Sequence, residues 1–246
     1  MQLTILGSGS AIPDGERIQS GYLIDSDEQP VLIDCGSGVL HRLAQSSVSL
    51  TDITHLLLTH HHLDHVADLL PFLKARWLVD ASPLEIYGPP GTTALVEKWV
   101  ESFSYLGDCV SFSVTEIDTG SCEIGSYSVR SVETIHSMQC YAYRITRDEW
   151  SVTISGDTEA SRAVADLADG STILIHDCAF PDDMELSNHP TPRSLAAVLE
   201  PISADILVIT HLYPMTAGKE TEMCATIEER FDGEVVVASD LQTFTV

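Results

Sequence analysis

The chain holds 246 residues, 44% of them hydrophobic, enough to bury a full core in one domain. Its 37 acidic side chains outnumber 12 basic ones for a formal net charge of −25, and Lys74, Lys98 and Lys219 are the only lysines, so polyanions are repelled unless a local patch or bound cations reverse the field. No apolar run approaches the ~20 residues of a membrane helix, and six scattered cysteines without a CxxC pair (Cys35, Cys109, Cys122, Cys140, Cys178 and Cys224) read as free thiols.

The opening MQLTILGSGS lacks a basic leader region and reads as a first strand, which points to a cytoplasmic protein. Short β-rich runs follow at Gly21 to Asp25 and Val31 to Asp34, then a helix from Val39 to Gln45 and the apolar strand ITHLLLT. Helical periodicity covers Val66 to Val79, LEIYG is a strand closed by Pro89 and Pro90, and Thr92 to Phe103 reads as another helix. The second half repeats the theme, with strands near Val110 to Glu116, Ser126 to Thr134, Cys140 to Thr146 and Ser151 to Ser155. Beyond these come helix Glu159 to Ala168, strand Thr172 to His176, helix Pro192 to Leu199, strand Ile206 to Thr210, helix Glu220 to Arg230, and the strands EVVVAS and QTFTV. Many strands, interspersed helices and no long linker predict a single α/β domain over residues 1–246, with two sheets face to face and helices outside.

The sharpest chemical signal is T-H-H-H-L-D-H at Thr59 to His65, where an apolar strand ends in a turn bearing three imidazoles and a carboxylate. Neutral imidazole nitrogen and carboxylate oxygen suit zinc and other first-row divalent metals. By this chain's own composition, HxHxDH arises by chance in about one such sequence in a thousand.

This turn resembles the hallmark of the metallo-β-lactamase superfamily, and the likeness extends over nearly the whole chain. VLIDCGSG with Asp34 precedes the motif, and ETIHS with His136, SGDT with Asp157 and VITHLYP with His211 follow it in order. The resemblance implies a four-layer αββα sandwich and two bound divalent metal ions. Zinc is the first expectation, and manganese or another first-row metal is compatible. It assigns His60, His62 and His136 to one ion, Asp64, His65 and His211 to the other, and Asp157 to a bridge. Asp34 is expected to orient a ligand or the turn rather than to ligate.

Within the superfamily the chain is similar to the ribonuclease Z-like branch. LGSGSAIP resembles its glycine-rich start, YAYRI after His136 its Tyr-Arg strand, and IHDCAF followed by NHPTP its late acidic segment and HxT motif. The resemblance gives His189 the protonation of a leaving oxygen or a hold on the substrate phosphate, and Asp64 the orientation or deprotonation of the attacking water. Thr191 reads equally well as a helix N-cap. His61 is expected to point away from the ligands, and His41, His55 and His176 read as ordinary histidines. The Gly7–Gly9 turn and Arg144 and Arg147 are weaker candidates for anion contacts, against a tight turn and a solvated strand face.

Transfer-RNA-processing members of that branch carry a basic, glycine-rich arm. Here the segment between Asp157 and His189 is short and acidic. The reading is therefore a metal-dependent phosphodiesterase for a small diester of cyclic phosphate or nucleotide type, with neither nucleic acid nor membrane as partner; a homodimer is compatible. The alternatives are a ribonuclease Z-like RNA endonuclease or a hydrolase of carboxylic esters, lactones or thioesters. A non-catalytic binding role fits poorly with all seven ligand positions filled, and the superfamily's iron-based oxygen reductases carry glutamate in place of His62.

Overall fold

A computed structural model describes residues 1–26, 29–184 and 187–245. The chain forms two compact units, one of residues 1–7, 17–118 and 239–246, the other of residues 8–16 and 119–238.

The first unit is built on the strands β1 (Gln2–Gly7), β2 (Gly21–Asp25), β3 (Val31–Ile33), β4 (His55–Leu57), β5 (Leu84–Gly88) and β6 (Phe112–Glu116). Its helices are α1 (Val39–Leu43), α2 (Leu63–Val66), α3 (Leu69–Leu78) and α4 (Thr92–Glu101). β1 to β3 pair antiparallel, whereas β3 to β6 run parallel and need the crossovers that the helices supply. β3 and β4 are wholly buried, as expected of interior parallel strands, and the unit's core gathers Leu32, Leu56, Ile86, Phe72 and Val96. Arg76 is buried on α3, where its guanidinium donates to the carbonyls of Leu50, Ile53 and Ser82, so that its buried donors are hydrogen-bonded.

The second unit contains β7 (Gly120–Ile124), β8 (Tyr127–Glu133), β9 (Tyr141–Arg147), β10 (Trp150–Ile154), α5 (Arg162–Ala168), β11 (Ser171–Asp177), α6 (Pro192–Leu199), β12 (Ala204–Thr210), α7 (Glu220–Glu228) and β13 (Glu234–Val237). The plan repeats: β7 to β10 pair antiparallel and β10 to β13 run parallel. A last strand, β14 (Thr243–Thr245), returns to pair with β1, making each sheet seven-stranded. Val246, the end of the predicted QTFTV strand, lies outside the described residues.

The helix predicted over Val66 to Val79 begins later, as α3 at Leu69, and Val66 instead closes α2, which starts inside the histidine motif. The break at Asp68 has a physical cause, because its carboxylate turns away to accept the N–H groups of Gly38 and Leu40 at 2.9 Å each, tying α1 to the motif. The sequence pattern does not predict β7, whose GSCEI is flanked by turn residues and offers only Cys122 and Ile124 as an apolar alternation. Among the described residues no helix is long and apolar enough to cross a membrane, and all six cysteines are free.

Candidate metal centre

In both units the chemistry sits just beyond the C-terminal ends of parallel strands, where neighbouring strand ends bring distant segments together. β3 delivers Asp34 and β4 delivers Thr59 and His60; β10 leads to Asp157, β11 ends on Asp177, and β12 leads to His211. Asp34 and His211 both adopt φ near 57°, a left-handed conformation unusual for non-glycine residues and characteristic of functional strand ends.

In the first unit Asp34, wholly buried, organises the turn. Its carboxylate accepts the Thr59 N–H at 2.8 Å and the Thr59 hydroxyl at 2.8 Å, and lies 2.7 Å from His65 Nδ1. A carboxylate on Nδ1 fixes the N–H there and leaves the lone pair on Nε2, the tautomer a ligating imidazole needs. The expected orienting role of Asp34 thus has a definite geometry. His60 Nε2 and His62 Nδ1 converge to 3.1 Å, and His65 Nε2 lies 3.8 Å from Asp64 Oδ2. The chain doubles back here so closely that a Cβ on Gly36 would overlap the Asp64 carbonyl. His61 turns elsewhere, its Nε2 2.7 Å from Thr92 Oγ1, and burial lowers its pKa.

In the second unit Asp157 Oδ2 lies 3.4 Å from His211 Nε2 and 3.9 Å from His136 Nε2. His189 stacks on His211 with ring centroids 5.2 Å apart, meets His136 edge-on at 5.6 Å, and sets its Nδ1 2.7 Å from Asp177 Oδ2. Asp177 also accepts the Thr158 N–H. Thr191 caps α6 in a reciprocal box with Ser194, so within the His-Pro-Thr run the histidine packs against His211 and His136 while the threonine serves the helix. The donor atoms form two groups, His60, His62, His136 and Asp157, and Asp64, His65, Asp157 and His211, with all atoms of a group within 4.8 Å of one another.

The weaker candidates resolve into structural roles. Arg144 donates to the carbonyls of Leu167, Asp169 and Gly170 and to the Ser151 hydroxyl; it is therefore neither a solvated strand face nor a ready anion contact. Arg147 lies over the Tyr127 ring. A Cβ at Gly7 would overlap the Gln19 carbonyl, and Gly9 bridges to Leu212, as a tight strand-ending turn requires. Buried His176 sets Nδ1 2.7 Å from the Asp177 carbonyl, and His55 Nδ1 lies 2.8 Å from Thr54 Oγ1.

A family model described as the anti-Pycsar protein Apyc1 matches residues 1–225. The chain belongs to the Apyc1 family. The ribonuclease Z of Mycolicibacterium gilvum is 32% identical across all of this chain and 96% of its own length. That alignment spans 275 positions against 246 residues here, so the relative holds stretches that this Apyc1-family chain lacks. The metallo-β-lactamase fold protein YhfI of Bacillus subtilis superposes with a TM-score of 0.86 at 25% identity, covering 99% of each chain. The short form of human tRNase Z superposes at 0.83 with 22% identity, covering 100% of this chain and 99% of its own. The expected family stands: this is an α/β chain of the metallo-β-lactamase fold, in its ribonuclease Z-like branch, and a metal-dependent hydrolase.

Motif spacing points to none of three side chains that the structure brings into play. Asp177 was visible only as the acidic residue of IHDCAF, Thr59 as the first letter of the motif, and Asp68 as one more acid after it. Each acts by hydrogen bonding to another residue, and no metal-ligand spacing reveals that.

Proposed function

We propose that the chain is a single-domain, cytoplasmic phosphodiesterase that uses two divalent metal ions, zinc first among them, to hydrolyse a small diester of cyclic phosphate or nucleotide type. The observation carrying the dinuclear reading is the membership of Asp157 in both donor groups, since a carboxylate common to both would lend its negative charge to two cations and offset their repulsion. His60, His62 and His136 would complete one set and Asp64, His65 and His211 the other; an all-nitrogen-and-oxygen donor set fits zinc and its neighbours. Ions held there supply Lewis-acid polarisation of the phosphoryl group and a more acidic water.

Around that chemistry, Asp64 orients the attacking water and takes its proton. With Nδ1 engaged by Asp177, His189 presents Nε2 to the substrate and delivers a proton from it to the leaving oxygen. The small-diester reading rests on the net charge of −25 and the short acidic segment between Asp157 and His189. A second reading, cleavage of precursor transfer RNA, is favoured by the 32% identity to a ribonuclease Z.

Assay of the metal-loaded protein on cyclic nucleotides, linear diesters, phosphomonoesters, lactones, thioesters and precursor transfer RNA separates these readings. Small diesters should be turned over with the highest kcat/KM. A preference for precursor transfer RNA at moderate salt, or for a lactone or thioester, overturns the proposal.

A further inference from the structure

Three loops of the second unit carry its site residues, and the side chain of Glu159 joins them. The loop after β8 brings His136, the one after β10 brings Asp157, and the one ahead of α6 brings His189. The first two are laced to each other. The Thr134 hydroxyl donates to the Asp157 carbonyl at 2.8 Å, the Ile135 N–H to the Thr158 hydroxyl at 3.2 Å, and the Glu159 N–H to the Ile135 carbonyl at 2.8 Å. Glu159 then reaches the third loop, its half-buried carboxylate accepting the Asn188 N–H at 3.0 Å.

Asn188 is the residue through which that contact acts. It is held at φ 75°, in the left-handed region that asparagine and glycine enter at least cost and that β-branched residues avoid. Its carbonyl lies 3.3 Å from His136 Nδ1. A carbonyl can only accept, so the pairing puts the N–H on Nδ1 and keeps the lone pair on Nε2, the atom 3.9 Å from Asp157 Oδ2. His189 is the next residue along, so a fixed Asn188 also fixes the backbone from which the His189 side chain starts.

We infer that Glu159 is a positioning residue, which through the backbone of Asn188 sets the orientation of His136 and the placement of His189. This rests on the metal-dependent phosphodiesterase reading above and adds a residue outside both donor groups to it. A carboxylate acceptor suits the task, because a hydrogen bond to an ionised group is roughly twice as strong as one between neutral groups. A partner that orients a ligating imidazole from behind is worth about 10–100-fold in metal affinity.

Zinc affinity of the full-length chain, measured by competition with a chelating indicator, tests the role without recourse to turnover. Glu159→Ala should weaken zinc binding about 10–100-fold, whereas Glu159→Gln, which keeps an acceptor oxygen, should restore most of the loss. Asn188→Gly accepts the left-handed backbone and keeps both peptide groups, so it should bind zinc almost as the unaltered chain does. Asn188→Val resists that backbone and should lose affinity as Glu159→Ala does. In Glu159→Ala, kcat should also fall further on alkyl diesters with poor leaving groups than on bis(4-nitrophenyl) phosphate, because His189 shifts with Asn188. Unchanged zinc affinity in Glu159→Ala, or equal losses in Glu159→Ala and Glu159→Gln, overturns the positioning of His136, and equal kcat losses on the two kinds of diester overturn that of His189. Failure of the unaltered protein on every diester sinks the diesterase reading instead, and the zinc comparison still decides the role of Glu159 toward His136.

Discussion

The carboxylate of Asp177 lies 2.7 Å from Nδ1 of His189, the same distance that separates Asp34 from Nδ1 of His65. One unit uses the pairing to orient a histidine of the ligand motif, the other to orient the histidine of the His-Pro-Thr run. Both carboxylates sit at C-terminal ends of parallel strands, Asp34 just beyond β3 and Asp177 closing β11, and both are almost fully buried. A buried carboxylate on Nδ1 fixes the tautomer and stabilises the imidazolium, which suits a proton donor as well as a ligand.

If His189 protonates the leaving oxygen, His189→Ala should slow diesters with poor leaving groups by about 10²–10⁴-fold and activated aryl diesters much less, with bound metal unchanged. Asp177→Asn should follow the same pattern with a smaller loss, because the histidine remains but its orientation and charge are no longer held. The measurement is kcat on matched alkyl and aryl diesters for each variant. Equal losses on both leaving groups would falsify the proton-donor role.

Metal analysis after full loading should find about two divalent ions per chain. Asp157→Ala should lower that capacity and abolish turnover, because it removes a donor from both groups. His61→Ala should leave the capacity close to the starting value, since the His61 ring is engaged with Thr92. Loss of metal to the same degree in both variants would show that the turn directs its imidazoles differently.

How far the sequence announced this site depended on what kind of signal each residue leaves. The candidate ligands follow strand ends and stand in motifs, so His60, His62, Asp64, His65, His136, Asp157 and His211 can be named from spacing and family order. The orienting shell left no such trace. Asp68 could not be read as the clasp between α1 and the motif, because its partners are backbone N–H groups thirty and twenty-eight residues away. Arg144, read as a solvated strand face with an anion contact as the weaker candidate, is consumed by carbonyls at the end of α5 and in the turn after it. The helix break at Asp68 and the omitted β7 have the same origin: tertiary hydrogen bonding and sheet pairing override a weak local pattern.

Burial lowers the pKa of His176 from its ordinary value of 6.5, and the same cause acts on His55 and His61. The unfolded chain takes up protons near that value which the folded chain does not. Stability from these groups is therefore fully present above pH 6.5 and declines as the pH falls below it. Thermal midpoints measured in chelator, so that metal loss does not enter, should drop between about pH 6.5 and pH 5. His176→Asn, which retains a donor near the Asp177 carbonyl but cannot titrate, should show a shallower drop. A slope identical to that of the unaltered chain would mean that His176 takes no part in the acid transition.

The last expectation concerns salt, because it separates the two candidate substrate classes without knowledge of the natural ligand. A protein that grips RNA through phosphate contacts releases counterions, and with six to ten such contacts it loses about 10³–10⁵ in affinity between roughly 50 and 200 mM salt. Few basic side chains here are available for that grip. Arg76 is buried against carbonyls, Arg144 is bound to the turn after α5, and Arg42, Lys219, Arg230 and Arg162 are each paired with an acid. A small diester makes one or two phosphate contacts, so its KM should change only a few-fold over the same salt range. Precursor transfer RNA should remain a poor substrate even at low salt, where electrostatic attraction is at its strongest. The decisive measurement is kcat/KM against salt for a cyclic nucleotide and for a precursor transfer RNA in parallel. Efficient cleavage of the RNA with a steep negative salt slope would reveal a basic surface acting despite the net charge, and would move the chain to the RNA-processing side of its branch.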